Sequence, residues 1–258
     1  MKLFNSFNKI VLVVEYDGRN YYGFQWQPKL PTIQAELERA IRRLTGESSR
    51  VIAASRTDTG VHAVGQVVSF RTKSALPPQT FVRALNYYLP RDIAVKGACK
   101  VDMDFNVRRD AMSREYDYYI LNSSTRSPLF EGFAYFVPKK LNIRAMNKAC
   151  KFLEGEQDFA SFATALGKLR STVRTVYEAR VAKEDDLVTY HMTGNSFLPH
   201  QVRNTVGLLI RIGLDKVGLE EFQQIMEAKR LGLAGPTAPA YGLCLTKVNY
   251  PGNLELAI

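Results

Sequence analysis

In the stretch ASRTDTGVHAVGQVVSF, residues 54–70, Asp58 stands two positions after Arg56 and two before Gly60, with His62 just beyond. A carboxylate acts as a nucleophile only when ionised, and a nearby guanidinium favours that state. Asp58 beside Arg56 in a basic groove is therefore a coherent covalent catalyst. The same residue types also make an ordinary turn, because Asp and Thr satisfy local backbone groups and Gly accepts positive φ. Local sequence leaves both readings open. Other chemistries find less support. Cys99, Cys150 and Cys244 are far apart, odd in number and without a CxxC pair, which argues against a disulfide framework and a zinc site. They read as buried thiols in a reducing compartment. His62, His191 and His200 are too scattered for a metal motif. The zinc-deaminase signature, the P-loop and the dinucleotide fingerprint GxGxxG do not occur.

The elements that must position Asp58 follow from periodicity. KIVLVVEY, residues 9–16, is β-branched and apolar and predicts a strand. A polar, aromatic loop runs to Pro31. Thr32 is placed to cap a helix to Thr45, with Ile33, Leu37, Ile41 and Leu44 on one face. Strands are expected over 50–54 and 62–71, then a helix opened by Pro77 and Pro78 with Phe81, Leu85 and Tyr88 on one face, then a strand over 93–101. The order is β-α-β-β-α-β. Further along, strands are expected near 114–122 and 132–137. A helix over 141–153 carries Leu141, Ala145, Ala149 and Phe152 on one side. A polar loop over 154–171 and a hairpin of 174–183 with 187–193 follow. Ser196 is placed to cap a helix to Ile212, a short helix covers 219–229, and a last strand covers 241–250. Extras aside, the second half repeats β-α-β-β-α-β.

This pattern predicts an α/β (α+β type) fold: two related ferredoxin-like or RNP-like halves, mainly antiparallel sheets with helices on one face, and a basic central cleft. The boundary is set in the stretch 104–112, giving halves 1–106 and 107–258. The chain has 258 residues, a net charge of +10 and a pI near 9.5. That charge favours polyanionic partners, nucleic acid first. No signal-peptide layout and no run of membrane-spanning length is seen, so a cytoplasmic protein with no membrane partner is expected.

SRTDTGVHAVGQVVSF resembles the signature of the TruA family of tRNA pseudouridine synthases. So do YDGRNYYGFQWQPKLPTIQAELERAI (16–41), REYDYYI (114–120), STVRTVYEARV (171–181), GNSFLPHQVRNTVGLLIRIG (194–213) and APAYGLCLTKVNY (238–250). The blocks arrive in family order and span nearly the whole chain. The resemblance implies an isomerase that converts uridine to pseudouridine at nominal tRNA positions 38 to 40 in the anticodon stem-loop. It implies a homodimer, tRNA as partner, and neither a metal nor an organic cofactor. It makes Asp58 the catalytic aspartate and leaves open whether Asp58 attacks the sugar, attacks the base or removes a sugar proton. In each case the target nucleotide must be extruded. Arg56 resembles the arginine that fills the space left by the base, Tyr116 the tyrosine that stacks on it, and Arg203 the arginine that pairs with the aspartate. In an alternating strand Tyr116 and Tyr118 share a face and Tyr119 points the other way.

The chain departs from the family pattern at Pro199-His200-Gln201, where an aromatic or His precedes His-Met. That change bears on local packing or substrate contacts more than on chemistry. Asn195 and Phe197 match Asn-x-Phe, with Phe197 read as packing and His62 as a structural hydrogen bonder. Arg19, Arg108, Arg109, Arg114, Lys168, Arg170, Arg174 and Arg211 are candidate phosphate contacts. Gln25 and Gln27 flank Trp26 in a loop that could touch RNA. Two rivals remain: a pseudouridine synthase with other RNA targets, and a non-catalytic tRNA-binding or folding protein on the same scaffold. A DNA-binding regulator lacks a convincing helix-turn-helix.

Overall fold

The computed structural model describes residues 7–165 and 171–252. It divides into two compact units, Met1–Met112 with Leu245–Ile258, and Ser113–Cys244. The division thus differs from a break at 106/107, because the chain beyond Leu245 belongs with the first unit. Long-range pairing is the reason. Met112 N–H donates to Asn249 O at 2.8 Å, and Tyr250 O–H donates to Val107 O at 2.6 Å. Gly65 lies so close to Thr246 O that a Cβ there would collide with it.

In the first unit the elements are β1 (Asn8–Tyr16), α1 (Ile33–Thr45), β2 (Ile52–Ala53), β3 (His62–Thr72), α2 (Pro78–Tyr88) and β4 (Ile93–Val101). This is the expected β-α-β-β-α-β order. The sheet runs β4-β1-β3-β2 with antiparallel neighbours, β1 pairing both β4 and β3. Thr32 caps α1 by accepting the Ala35 N–H, and Gly46 closes the helix in the left-handed region at φ 74°. Ile33, Leu37, Ala40 and Ile41 form the buried face of α1, while Phe81 and Leu85 do so for α2. Phe81 meets Phe70 of β3 edge-on at 5.7 Å.

The second unit begins with β5 (Ser113–Leu121), joined in parallel by β6 (Tyr135–Phe136), followed by α3 (Ile143–Cys150), β7 (Gly155–Asp158), β8 (Val173–Glu184), β9 (Leu187–Gly194), α4 (Gln201–Gly213) and α5 (Leu219–Glu227). The last strand is β10 (Leu243–Asn249). Strands β5, β9, β8 and β7 pair antiparallel in that order. The β1-β3-β2 neighbourhood of the first unit therefore has its counterpart in β5-β9-β8, as the repeated element order implied.

Three expectations change. The segment read as a polar loop over 154–171 contains β7 and a 3-10 turn, Ala160–Phe162. Its Phe159 and Phe162 are wholly buried and meet at 5.8 Å, and Phe162 packs on Phe222 of α5 at 6.0 Å. Apolar residues separated by Asp, Ser and Thr show neither helical nor strand period, so the core role is invisible to patterning. The buried face of α3 centres on Met146, Ala149 and Cys150 instead of Ala145 and Phe152. Ser196 does not cap α4, which starts after His200, a residue held at φ 62° with no side-chain cap bond. Among the described residues no disulfide joins the three cysteines; Cys150 and Cys244 are buried and Cys99 is half-buried.

Candidate active site

Asp58 lies in the loop between β2 and β3, and backbone holds that loop. Phe24 N–H donates to Thr57 O at 3.1 Å, Gly60 N–H to Tyr21 O at 3.3 Å and Val61 N–H to Asp58 O at 3.1 Å. Gly23, at φ 81°, passes directly under the loop: a Cβ there would sit 2.8 Å from Thr57 O and 3.2 Å from both Asp58 C and Thr59 N. Only glycine permits both that conformation and that approach. Buried polar side chains complete the brace. Tyr16 Oη and Thr57 Oγ1 are 2.8 Å apart. Gln66, wholly buried, donates from Nε2 to Ser55 O at 2.8 Å and accepts the Ser55 N–H at 3.3 Å. Asp58 itself is half-buried.

His62 opens β3 as a structural residue, in line with its reading. Its Nδ1 accepts the Gly18 N–H at 3.2 Å, and Asp17 Oδ1 lies 3.2 Å from the same nitrogen. Burial works to raise the Asp17 pKa, but hydrogen bonds from the Arg19 guanidinium and backbone outweigh it and hold the carboxyl below the ordinary range. Arg56 is exposed. Such burial as it has, together with the neighbouring Arg108 guanidinium, pulls its pKa down. It stays charged throughout the working range.

Tyr116 and Arg203 belong to the second unit. Tyr116 stands on β5 opposite Met192 of β9 and is 6% exposed. Its ring meets Phe197 edge-on at 5.4 Å. Phe197 in turn lies over Gly194, where a Cβ would come within 3.1 Å of the ring. Tyr118 shares the Tyr116 face and is wholly buried, donating to Pro239 O at 2.8 Å. Tyr119 faces the other way, where burial and Asp117 raise its phenol pKa to about 12.

Arg203 occupies the first turn of α4. Its Nε donates to Ala238 O at 2.9 Å, and its own carbonyl accepts the Ala238 N–H at 3.1 Å. The segment 235–239 is clamped along α4 by further contacts. Thr237 O–H donates to Asn204 Oδ1 at 2.6 Å, and Arg211 Nη1 donates to Gly235 O at 3.3 Å. Gly207 lets Pro236 O approach where any Cβ would collide. Within the unusual Pro199-His200-Gln201 run, Pro199 and His200 make the turn that precedes the helix and Gln201 opens it. Gln201 is wholly buried, and its Oε1 accepts the Leu198 N–H at 2.8 Å while its Nε2 is buried without a partner among the described residues. His200 Nδ1 is 3.0 Å from Thr164 Oγ1.

Several of the basic candidates are engaged within the fold. Arg19 pairs with Asp17 at 2.6 Å, Arg109 with Asp110 at 2.6 Å, and Arg114 is buried and donates to Asn195 O at 2.7 Å. Arg174 donates to Ser171 O and Val173 O at 3.0 and 2.6 Å. Arg108 is exposed. Lys168 and Arg170 lie outside the described residues. Sequence reading missed the braces: Tyr16, Thr57 and Gln66 under Asp58, and Asn204 and Thr237 beside Arg203. A glutamine inside the apolar strand VGQVVSF was the available signal for the first set.

Among the described residues no group of three or more His, Cys, Asp or Glu is placed to hold a metal ion, and no helix is long and apolar enough to cross a membrane. Residues 12–110 and 149–251 match a family model described as tRNA pseudouridine synthase. The tRNA pseudouridine synthase A of Acetivibrio thermocellus is 42% identical over 241 residues, covering 93% of this chain and 99% of that protein. Those of Caldicellulosiruptor bescii and Francisella tularensis subsp. novicida are each 39% identical over 93% of this chain, and over 99% and 93% of their own lengths. A crystal structure of the archaeal box H/ACA sRNP Nop10–Cbf5 complex aligns with 78% of this chain and 43% of its own at 13% identity and a TM-score of 0.33, too low to add weight. With the family model matching most of its length and relatives of about 40% identity matching nearly all of it, the chain belongs to the tRNA pseudouridine synthase family.

Proposed function

We propose that this chain isomerises uridine to pseudouridine in the anticodon stem-loop of tRNA, at nominal positions 38 to 40, with Asp58 as the catalytic carboxylate. The N1–C1′ glycosidic bond breaks, the uracil turns while held, C5 bonds to C1′, the C5 hydrogen leaves as a proton, and N1 takes up a proton in its place. The atoms balance without redox change or group donor. Arg56 fills the space vacated by the base, Tyr116 stacks on the uracil, and Arg203 keeps the Asp58 carboxylate ionised and oriented. The reading extends to a homodimer acting in the cytoplasm without metal or organic cofactor.

The observation that carries the assignment of Asp58 is the bracing of its loop. A turn aspartate needs no backbone packed beneath it. Here Gly23 is pressed against Thr57, Asp58 and Thr59, and three buried polar side chains tie the loop to β1 and β3. Such rigidity is what a positioned catalytic group requires. Beyond the effect of burial, Arg108 is near enough to Arg56 to lower its pKa, and neighbouring positive charges of this kind favour an anionic ligand.

Tritium release from C5-labelled uridine in unmodified tRNA tests the reading. Wild type should release tritium, and Asp58→Ala should release none while its tRNA affinity stays within a few-fold. Near-normal turnover by Asp58→Ala would sink the assignment. Release from uridines other than the three named would favour a synthase with other targets.

A further inference from the structure

The loop that braces Asp58 also carries two large aromatic residues left about half exposed. Tyr21 and Phe24 point inward at 6% and 2% exposure, while Tyr22 and Trp26 stand out at 48% and 45%. These exposed rings are not on a slack segment. Trp26 N–H donates to Gln34 Oε1 at 2.9 Å, and Gln34 is itself anchored by donating to Glu38 Oε1 at 2.7 Å and Val51 O at 3.1 Å. Gln27 Nε2 folds back to Tyr22 O at 2.7 Å, and Tyr22 N–H donates to Pro31 O at 2.9 Å. Backbone and glutamine side chains thus order the loop, leaving its rings presented to solvent. A ring carried on an ordered backbone loses less entropy when something stacks on it than one on a slack segment.

The position of the loop says what that partner is. Gly23 and Phe24 touch the backbone of Thr57–Thr59, so Tyr22 and Trp26 flank the residues in direct contact with the Asp58 loop. Lys29 lies in the same loop, and the chain carries a net charge of +10. Exposed aromatics followed by a basic residue beside a nucleotide-processing loop fit unpaired bases, whose faces stack on any ring. We propose that Trp26, with Tyr22, forms a stacking platform for the unpaired loop nucleotides that neighbour the target uridine. The inference rests on the tRNA-pseudouridylation reading. The platform binds and positions RNA and takes no part in bond making.

Trp26 is the single tryptophan of the chain, so tryptophan fluorescence reports on it alone. Asp58→Ala protein is titrated with an unmodified anticodon stem-loop RNA and, separately, with the same stem as a blunt duplex lacking the loop. Wild-type protein with fully modified stem-loop provides a second background without turnover. Saturable quenching by both stem-loops and none by the duplex is expected. Trp26→Ala should raise KM about five-fold or more at unchanged kcat, and Trp26→Phe should recover most of that loss. Saturable stem-loop binding without a fluorescence change, equal quenching by the duplex, or wild-type KM in Trp26→Ala would overturn the platform. So would a change in sedimentation of Trp26→Ala at unchanged KM, which would make the ring a protein contact. Tritium release by the wild type on the same RNA separates the failures. Release without quenching defeats the platform alone, whereas neither release nor binding defeats the parent reading as well.

Discussion

Asp58 and Arg203 are positioned by opposite means. The Asp58 loop is held from below by backbone: Gly23 sits against it, and the bonds from Phe24, Gly60 and Val61 all run between main-chain atoms. Arg203 is held through its own guanidinium, whose Nε donates to Ala238 O, on a helix that clasps the segment 235–239. Backbone bracing fixes where a side chain starts and does not depend on its type. Side-chain anchoring makes position and residue type inseparable. At Asp58, then, replacement should remove chemistry while sparing the loop. At Arg203 it should disturb both charge and placement.

After the complete loss expected at Asp58, the largest effect from this contrast is at Arg203. Arg203→Lys keeps the positive charge but lacks Nε, so it cannot hold Ala238 O and present a planar fork as well. Its kcat should fall about 100-fold or more, the scale of losing one preorganised donor. Wild-type turnover in Arg203→Lys would remove its proposed role. A smaller effect separates two glycines of the first unit. Gly23→Ala meets both a φ of 81° and Thr57 O at 2.8 Å, whereas Gly46→Ala meets a φ of 74° and nothing within 4 Å. Gly23→Ala should cost about 2–3 kcal/mol of stability and lower kcat in the folded protein, because the Asp58 backbone must shift. Gly46→Ala should cost about 1 kcal/mol at unchanged kcat. Chemical denaturation with single-turnover kinetics on both variants reads the difference. Equal kcat values would show that the contact under Asp58 does not tune its position.

The same contrast explains what was legible beforehand. Element order, the Thr32 cap, the strand over 93–101 and the facing of Tyr116 and Tyr118 follow from local periodicity, and all are seen. Asp58 and Arg56 stood out because carboxylate, guanidinium and glycine at close spacing are chemically suggestive. Tyr116 and Arg203 came from the family resemblance, since one tyrosine in a tyrosine-rich strand and one arginine on a helix carry no local mark. What stayed hidden depends on approach between distant segments. Gly23 beneath Thr57, Gly207 against Pro236 and Gly65 against Thr246 are tertiary facts that single glycines do not announce. The start of α4 was misplaced for a related reason: His200 takes a left-handed conformation, and the turn is closed by Gln201 capping Leu198 from inside the core. A capping rule based on Ser and Asn does not foresee that.

The smallest effect concerns the His62 side of the loop, where electrostatics are added to close packing. Asp17 accepts from Arg19 Nε and Nη2 and lies 3.2 Å from His62 Nδ1, with its carboxyl pKa held below the ordinary range. A carboxyl depressed in the folded state stabilises it at pH values above its unfolded pKa, about 3.9 for Asp, and that contribution is lost as pH falls through the folded value. Wild-type stability should therefore drop on acidification below about pH 4 more steeply than that of Asp17→Asn, which has no such carboxyl to protonate. Arg19 is 42% exposed at its side chain, so the pair is screened and the difference at neutral pH should be about 1 kcal/mol or less. Urea midpoints measured across the acid range for both proteins decide it. Parallel curves would mean that Gly18 and Val61, pressed together where no Cβ fits, hold this side of the loop by packing alone, as Gly23 holds the other.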